Sequence, residues 1–276
     1  MTAAAPAPPP LDEGLDQLLR RMRLPHMRRL APEVLAVAKA QRWDPAEVLR
    51  ALLAEEVAGR DRSSLATRRA RAAFPTGKTF DAWDERLSSV PAPTQAALRT
   101  LEWIGRHENL VVCGPSGTGK TFMLEALGQA AVAAGKNVAW FTLEQVGALV
   151  RRHRADDSVT RAIARILRAD LVVVDDIGLL PVAPDAAEGL YRIVDAAYER
   201  RSVAVSSNLH PSKAHMFPAT CARQRRNYTG CGRARKAWTS AARTVISCPA
   251  SSQVVTDASQ ESCREAHDRR VQRSST

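Results

Sequence analysis

Residues 109–121 are NLVVCGPSGTGKT, a short apolar run that leads directly into a glycine-rich loop ending in lysine and threonine. The run from Asn109 to Cys113 has the length and β-branched content of a buried strand. From Gly114 to Thr121 the chain matches the pattern G-x-x-x-x-G-K-T, and the next segment, FMLEALGQAAVAAG, has the composition of a helix. A strand, a loop and a helix in this order predict a phosphate-binding loop.

The residue types in this loop are those that hold phosphate groups. Glycines let the backbone curl so that successive N–H groups point inward, and the helix N-terminus adds further N–H groups. We expect Lys120 to reach the β- and γ-phosphates of a nucleotide and the Thr121 hydroxyl to ligate Mg²⁺. The expected binding residues are Gly114, Pro115, Ser116, Gly117, Thr118, Gly119, Lys120 and Thr121.

Two later strands end in polar residues. In RADLVVVDDIG, apolar residues precede Asp175 and Asp176. The carboxylates are thus predicted at the carboxyl end of a central strand, where open α/β sheets bind ligands. We expect Asp175 to hold Mg²⁺ through water and Asp176 to polarise the attacking water. After SVAVSS, Asn208 either orients that water or is a turn residue that ends the strand. The predicted catalytic residues are Lys120, Asp176 and Asn208.

Apolar strands alternate with helical segments over residues 107–211, which predicts an α/β fold with a parallel sheet covered on both faces. Residues 11–72 carry apolar side chains at helical spacing and predict a small all-α N-terminal domain. Residues 1–10 predict a disordered, proline-rich lead-in. We expect residues 73–106 to form a linker and the start of the second domain.

Bulk properties exclude some classes of protein. The chain has 276 residues and a net charge of +11. No apolar run approaches the ~18 residues needed to cross a bilayer. The first ten residues also lack the basic start and apolar core of a signal peptide. We therefore expect a cytoplasmic protein without a membrane partner.

The composition changes abruptly after residue 210. Residues 1–210 contain 25 leucines and residues 211–276 contain none. The later segment holds 12 basic residues against 4 acidic ones, together with four of the 5 cysteines, whose spacing matches no CxxC zinc pair. No helical or strand period can be followed in it. We predict that residues 212–276 form an irregular tail, either disordered or produced by a frameshift near residues 211–213.

Several segments resemble the IstB-like proteins, ATP-binding helpers of insertion-sequence transposases that are similar to DnaC helicase loaders. The resemblance rests on LLAEEVAGRDRSSLATRRARAAFPTGKTFDAWD, CGPSGTGKTFMLEALGQAAVAAGKNVAWFT, RADLVVVDDIGLLP and YRIVDAAYERRSVAVSSN. It implies a P-loop fold of the AAA+ type, ATP and Mg²⁺ as cofactors, and a homo-oligomer that acts on double-stranded DNA with a transposase. A helicase loader of replication, and a remnant that binds ATP without productive hydrolysis, stay open as alternatives.

The resemblance also assigns candidate DNA contacts. One basic cluster ends the N-terminal domain, and another lies between the second and third strands; each is also explained as a solvated helix face. The candidates are Arg60, Arg62, Arg68, Arg69, Arg71, Arg151, Arg152 and Arg154. The resemblance stops near residue 211. There the family continues into a DRLLHHA-like segment with arginines for the γ-phosphate, and this chain has PSKAHMFPATCARQRR instead.

Overall fold

The computed structural model describes residues 8–177, 183–208 and 244–247, the last of these ranges by its backbone alone. The chain divides into two compact units between Thr67 and Arg68. Among the helices of the described ranges, none combines the length and the apolar character that a bilayer span requires.

The first unit is helical. Its helices are α1 (Glu13–Arg21), α2 (Pro25–Gln41) and α3 (Pro45–Ala72), and α3 continues past the division into the second unit. Leu19, Ala31 and Leu52, one from each helix, are buried together, as the helical spacing of their apolar neighbours predicts. All of these helices fall within residues 11–72, the range predicted for an all-α domain.

The start of α2 is capped by a side chain from another helix. Leu24 precedes α2 and offers no side-chain acceptor. The Glu56 carboxylate of α3, only 3% exposed, accepts hydrogen bonds from the N–H groups of His26 and Met27, both at 2.9 Å, and from Arg60 Nε at 2.8 Å. Burial alone would raise the pKa of Glu56. The hydrogen bonds from Met27, Arg60 and His26 outweigh burial and hold that pKa below its ordinary value.

We expect Glu56→Gln to lower the free energy of unfolding of the helical unit by about 1–3 kcal/mol, because two partly buried N–H groups at the start of α2 lose a charged acceptor. The depressed pKa means that ionised Glu56 stabilises the fold above its unfolded-state pKa. This stability is lost as the pH falls through the folded-state pKa. Thermal unfolding measured between pH 7 and pH 3 should therefore show a difference in stability between Glu56→Gln and the parent that becomes smaller at low pH. Glu33→Gln, at an exposed position of α2, is the control, and an equal loss there would contradict the prediction.

The second unit is built on a parallel sheet. Its described strands are β1 (Leu110–Cys113), β2 (Val138–Thr142), β3 (Leu171–Ile177), β4 (Ser202–Ser207) and β5 (Thr244–Ser247), in the order β2-β3-β4-β1-β5. Each neighbouring pair is parallel. β1 and β4 are buried along their whole length, as expected of inner strands in a parallel sheet that helices cover on both faces.

The helices of this unit cover the sheet and carry the loop. They are α4 (Ala92–Arg99), α5 (Glu102–Gly105), α6 (Lys120–Ala133), α7 (Leu143–Arg154), α8 (Val159–Ile166) and α9 (Pro184–Ala197). Val172 and Val174 of β3 pack into the cluster formed by α7, α8 and α9. Alternate residues of a strand point to opposite faces, so Asp175 points away from this cluster, and Thr121 of α6 contacts it there. The predicted α/β fold, a parallel sheet flanked by helices and preceded by a small helical domain, is confirmed.

The strand β5 differs from the sequence prediction. It lies within residues 212–276, which were predicted to be irregular, and pairs with β1 from Leu110↔Thr244 to Cys113↔Ser247. The prediction was therefore wrong for these residues, which form the short β-branched run TVIS. Pairing satisfies the backbone groups on one side of β1, which would otherwise be a sheet edge. The rest of the predicted tail, and residues 1–7 of the predicted lead-in, lie outside the described residues.

Candidate functional site

The loop from Gly114 to Gly119 connects β1 to α6, as the motif predicts. Gly117 has a φ of 83° and Gly119 a φ of 81°, in the left-handed region that side chains rarely adopt. A Cβ placed at Gly117 would meet nothing within 4 Å. Backbone conformation, rather than lack of space, is therefore the reason for glycine at position 117.

Two side chains hold the loop closed by donating hydrogen bonds to the same backbone carbonyl. Lys120 Nζ donates to Pro115 O at 2.7 Å, and Thr118 Oγ1 donates to the same oxygen at 2.9 Å. Lys120 is also the first residue of α6 and is only 7% exposed. An ammonium group and a helix N-terminus therefore lie at the same place, which is the electrostatic arrangement that favours a bound anion.

The carboxylate of Asp175 joins α6, β3 and β4. It is 3% exposed and accepts a hydrogen bond from Thr121 Oγ1 at 3.3 Å. A second hydroxyl, that of Ser206 on β4, donates to the same carboxylate oxygen. The structure thus brings Lys120, Thr121 and Asp175 to the carboxyl edge of the sheet, although they come from different elements.

Asp176 lies in a bulge and turns away from its neighbour. Val174 pairs with Val205 and Ile177 with Ser207, so β3 has one residue more than β4 in this interval. The φ of Asp176 is 63°, its N–H donates to Ser206 Oγ at 2.9 Å, and its side chain is exposed. Partial removal from water and the Asp175 carboxylate raise the pKa of Asp176, while Lys120 opposes the shift.

Backbone hydrogen bonds hold Asn208 at the same edge of the sheet. Its N–H donates to Ile177 O at 3.0 Å, and the residue is half-buried. The neighbouring Ser207 carbonyl accepts from Gly114 N at 3.1 Å. The end of β4 is thereby tied both to the end of β3 and to the first residue of the loop.

Ser206 was not among the predicted site residues, although its hydroxyl contacts both acidic residues. Its hydroxyl donates to Asp175 and accepts from the backbone of Asp176, so it holds both sides of the bulge. Ser206 is 1% exposed and directly follows the apolar residues 203–205 of the buried strand β4. A hydroxyl at the end of a buried apolar run is the signal that could have identified it, because a buried polar group requires a partner.

The donors at this edge suit a magnesium ion with a phosphate ligand. Thr121 and Asp175 supply a hydroxyl and a carboxylate oxygen, the ligand types that Mg²⁺ prefers. Within the described residues no group of three His, Cys, Asp or Glu side chains could hold a metal ion. A cation bound here would therefore complete its coordination with water and with oxygen atoms of the bound phosphate.

The candidate DNA-contacting arginines fall into two groups. Several are paired with acids: Arg60 with Glu56, Arg62 with Glu55, and Arg151 and Arg154 with Asp185 of α9. In the described residues no such ion pair involves Arg68, Arg69, Arg71 or Arg152. α8 and its end expose three further arginines that the sequence analysis missed. These are Arg161, Arg165 and Arg168.

The raised pKa of Asp176 predicts a stability effect. A carboxyl group whose folded-state pKa is raised stabilises the fold at pH values below its unfolded-state pKa. That stabilisation is lost as the pH rises through the folded-state pKa. Asp176→Asn should therefore raise the free energy of unfolding at pH 7, by ~0.5 kcal/mol because solvent screens an exposed group. The gain should shrink toward pH 3. Asp195→Asn, at an exposed position of α9, is the control. An equal gain in its free energy of unfolding, measured by thermal unfolding, would contradict the prediction.

The chain is similar in sequence to known proteins. The family model described as IstB-like ATP binding protein matches residues 17–217. An ATP-binding protein named for an IS21-like insertion sequence of Bacteroides fragilis is 30% identical over 195 residues, covering 70% of this chain and 74% of the relative. One named for IS21 in Pseudomonas aeruginosa is 28% identical over 195 residues, with the same coverage of 70% and 74%.

A solved structure also resembles the chain. The crystal structure of the DnaC helicase loader is 14% identical, with a TM-score of 0.46, and covers 63% of this chain and 97% of that chain. The family match spans the loop, both acidic residues and Asn208. The chain belongs to the family of IstB-like ATP binding proteins.

Proposed function

We propose that this chain binds ATP with Mg²⁺ at residues 114–121 and hydrolyses it. The observation that carries the proposal is the contact between Thr121 and Asp175, beside a loop closed by Lys120. These three side chains are of the types that hold a triphosphate and its cation. In the proposed complex Lys120 exchanges the Pro115 carbonyl for phosphate oxygens.

The remaining residues have complementary roles. The N–H groups of the loop and of the first turn of α6 bind phosphate oxygens. Thr121 and Asp175 hold Mg²⁺, which when bound neutralises phosphate charge. Asp176 is exposed beside the buried Asp175 and accepts a proton from the attacking water, which Asn208 orients. Because the pKa of Asp176 is raised, its basic form is lost at a higher pH than that of an ordinary aspartate.

The biological role that we propose is that of a helper ATPase, assembled as a homo-oligomer on double-stranded DNA, for the transposase of an insertion sequence. The relatives named for insertion sequences support this role. ATP binding without turnover would instead favour the alternative that the chain is a remnant that binds ATP without productive hydrolysis. A helicase-loading role would require that the chain stimulate a replicative helicase rather than a transposase.

The proposed DNA surface is the exposed face of α8. Arg161 and Arg165 are four residues apart, and Arg168 follows just beyond the helix, so all three are placed toward one side. The other side of α8 is buried in the core. Arg154 is a weaker candidate than these residues, since its guanidinium is within 2.8 Å of Asp185 and 2.6 Å of Glu188. An arginine held by two carboxylates has less charge available for phosphate.

Two substitutions test the proposed hydrolysis. Lys120→Ala should weaken binding of ATP and lower turnover about 10²-fold or more, because it removes a cation from the phosphates. Asp176→Asn should retain ATP binding and lower turnover by about 10²–10⁴-fold, the range expected for a general base. Turnover is measured as phosphate release, with and without duplex DNA. Lys136→Ala, beyond the opposite end of α6, is the control. A parent chain that binds no ATP would overturn the proposal.

A triple substitution tests the DNA surface. Replacing Arg161, Arg165 and Arg168 by alanine should lower duplex affinity at least tenfold. It should also reduce the slope of log K against log salt by about 2–3, because each lost phosphate contact contributes ~0.9. The charge-matched control replaces three ion-paired arginines that are not candidate DNA contacts, namely Arg20, Arg28 and Arg106. An equal loss in both triple variants would show that net charge, rather than this surface, governs binding.

A further inference from the structure

A segment before the sheet runs along α6 toward the phosphate loop; we name residues 74–83 the arm. Its contacts follow α6 in reverse order. Phe74 lies against Gly128, Thr76 and Gly77 bind Glu125, and Lys78 lies over the ring of Phe122 at 5.1 Å. Trp83, at the end of the arm, packs edge-on against Phe122 with ring centroids 5.1 Å apart. The arm therefore leads from the third turn of α6 to its first.

The far end of the arm reaches the phosphate loop itself. A Cβ at Gly119 would lie 3.5 Å from the Trp83 ring, so the indole is in van der Waals range of the last loop glycine. Trp83 Nε1 donates to Gln95 Oε1 at 2.7 Å. Gln95 is buried, and its amide nitrogen donates to Val90 O at 2.6 Å, which leaves Oε1 facing Trp83. The ring is thus fixed on two sides beside Gly119.

The contact that sets the position of the arm is a buried carboxylate. Glu125 is 0% exposed and accepts from Thr76 N at 3.0 Å, from Thr76 Oγ1 at 2.6 Å and from Gly77 N. A buried carboxylate is costly unless its oxygen atoms are hydrogen-bonded, and these three donors all come from the arm. A shift of the arm by one residue would remove at least one of them, so Glu125 favours a single register.

A second feature of α6 accepts the arm. A Cβ at Gly128 would lie 2.7 Å from Phe74 Cε1, so glycine is needed for the ring to approach the helix. Phe74 also packs edge-on against Trp140 of β2, with ring centroids 6.1 Å apart. Gly128 is one turn beyond Glu125, and both features therefore lie on the same face of α6.

We propose that Glu125 is a positioning residue that fixes the register of the arm on α6 and so holds the Trp83 indole against Gly119, which braces the phosphate loop for nucleotide. The role rests on the proposed function of that loop. Glu125 itself lies one turn beyond Thr121, toward the interior of the protein, and acts through the arm.

The test compares the parent with two variants whose side chains have volumes similar to that of glutamate. Glu125→Gln removes the charge and keeps one oxygen acceptor, whereas Glu125→Leu removes the charge and both acceptors. Hydrogen exchange in the absence of nucleotide measures protection of the amides of Thr76 and Gly77. Titration with a fluorescent ATP analogue and Mg²⁺ measures Kd. Glu125→Leu should lose the protection and raise Kd at least tenfold, with turnover at saturation changed less than threefold. Glu125→Gln should lose only part of the protection and raise Kd by less than Glu125→Leu does.

Two further variants separate the brace from general stability. Trp83→Ala should raise Kd while leaving Thr76 and Gly77 protected, because it removes only the far end of the arm. Glu144→Gln, at an exposed site on α7, should change neither quantity. Protection retained in both Glu125 variants would overturn the register role, and protection lost with an unchanged Kd would overturn the brace. A parent protein that bound no analogue would overturn both the proposed function and the brace. Hydrogen exchange would still show whether Glu125 fixes the register of the arm.

Discussion

The Asp175 carboxylate accepts hydrogen bonds from Thr121 and Ser206, and these contacts join the helix, the central strand and its neighbour into one site. They require β3 and β4 to end together and α6 to begin beside them. The in-register pairs between β1 and β4, from Leu110↔Ala204 to Cys113↔Ser207, place the phosphate loop at that edge. A displacement of β4 by one residue would turn Ser206 to the other face and move its hydroxyl away from the buried carboxylate.

Most of the fold could be predicted because its strands are short segments built around apolar runs and lie between helical segments. LVVC, VAWFT and SVAVSS stand out by composition, and the glycine-rich motif places the first of them beside a helix. The bulge at Asp175 and Asp176 could not be predicted, since it depends on how many residues β3 and β4 contribute between shared pairs. β5 was missed because four residues give too short a pattern to distinguish a strand from its surroundings.

The roles of charged residues were harder to predict than the strands, because a charge acts through neighbours that are distant in sequence. Arg154 and Asp185 are 31 positions apart by numbering and form an ion pair at 2.8 Å. The same arginine appears in the sequence only as part of a basic cluster. Conversely, the spacing of four residues places Arg161 and Arg165 on one face of α8, and only the burial of the other side shows that this face is exposed.

Buried glutamates hold adjoining segments in both units by similar means. Glu56 accepts the first free N–H groups of α2, and Glu125 accepts two N–H groups and a hydroxyl of the arm. In each case an apolar residue would avoid the cost of burying charge but would leave backbone N–H groups without acceptors. Apolar packing tolerates small sliding movements, whereas a carboxylate accepts only from donors at hydrogen-bond distance. The glutamates therefore contribute positional accuracy that packing alone would not, and in the proposed brace this accuracy keeps the Trp83 indole against Gly119.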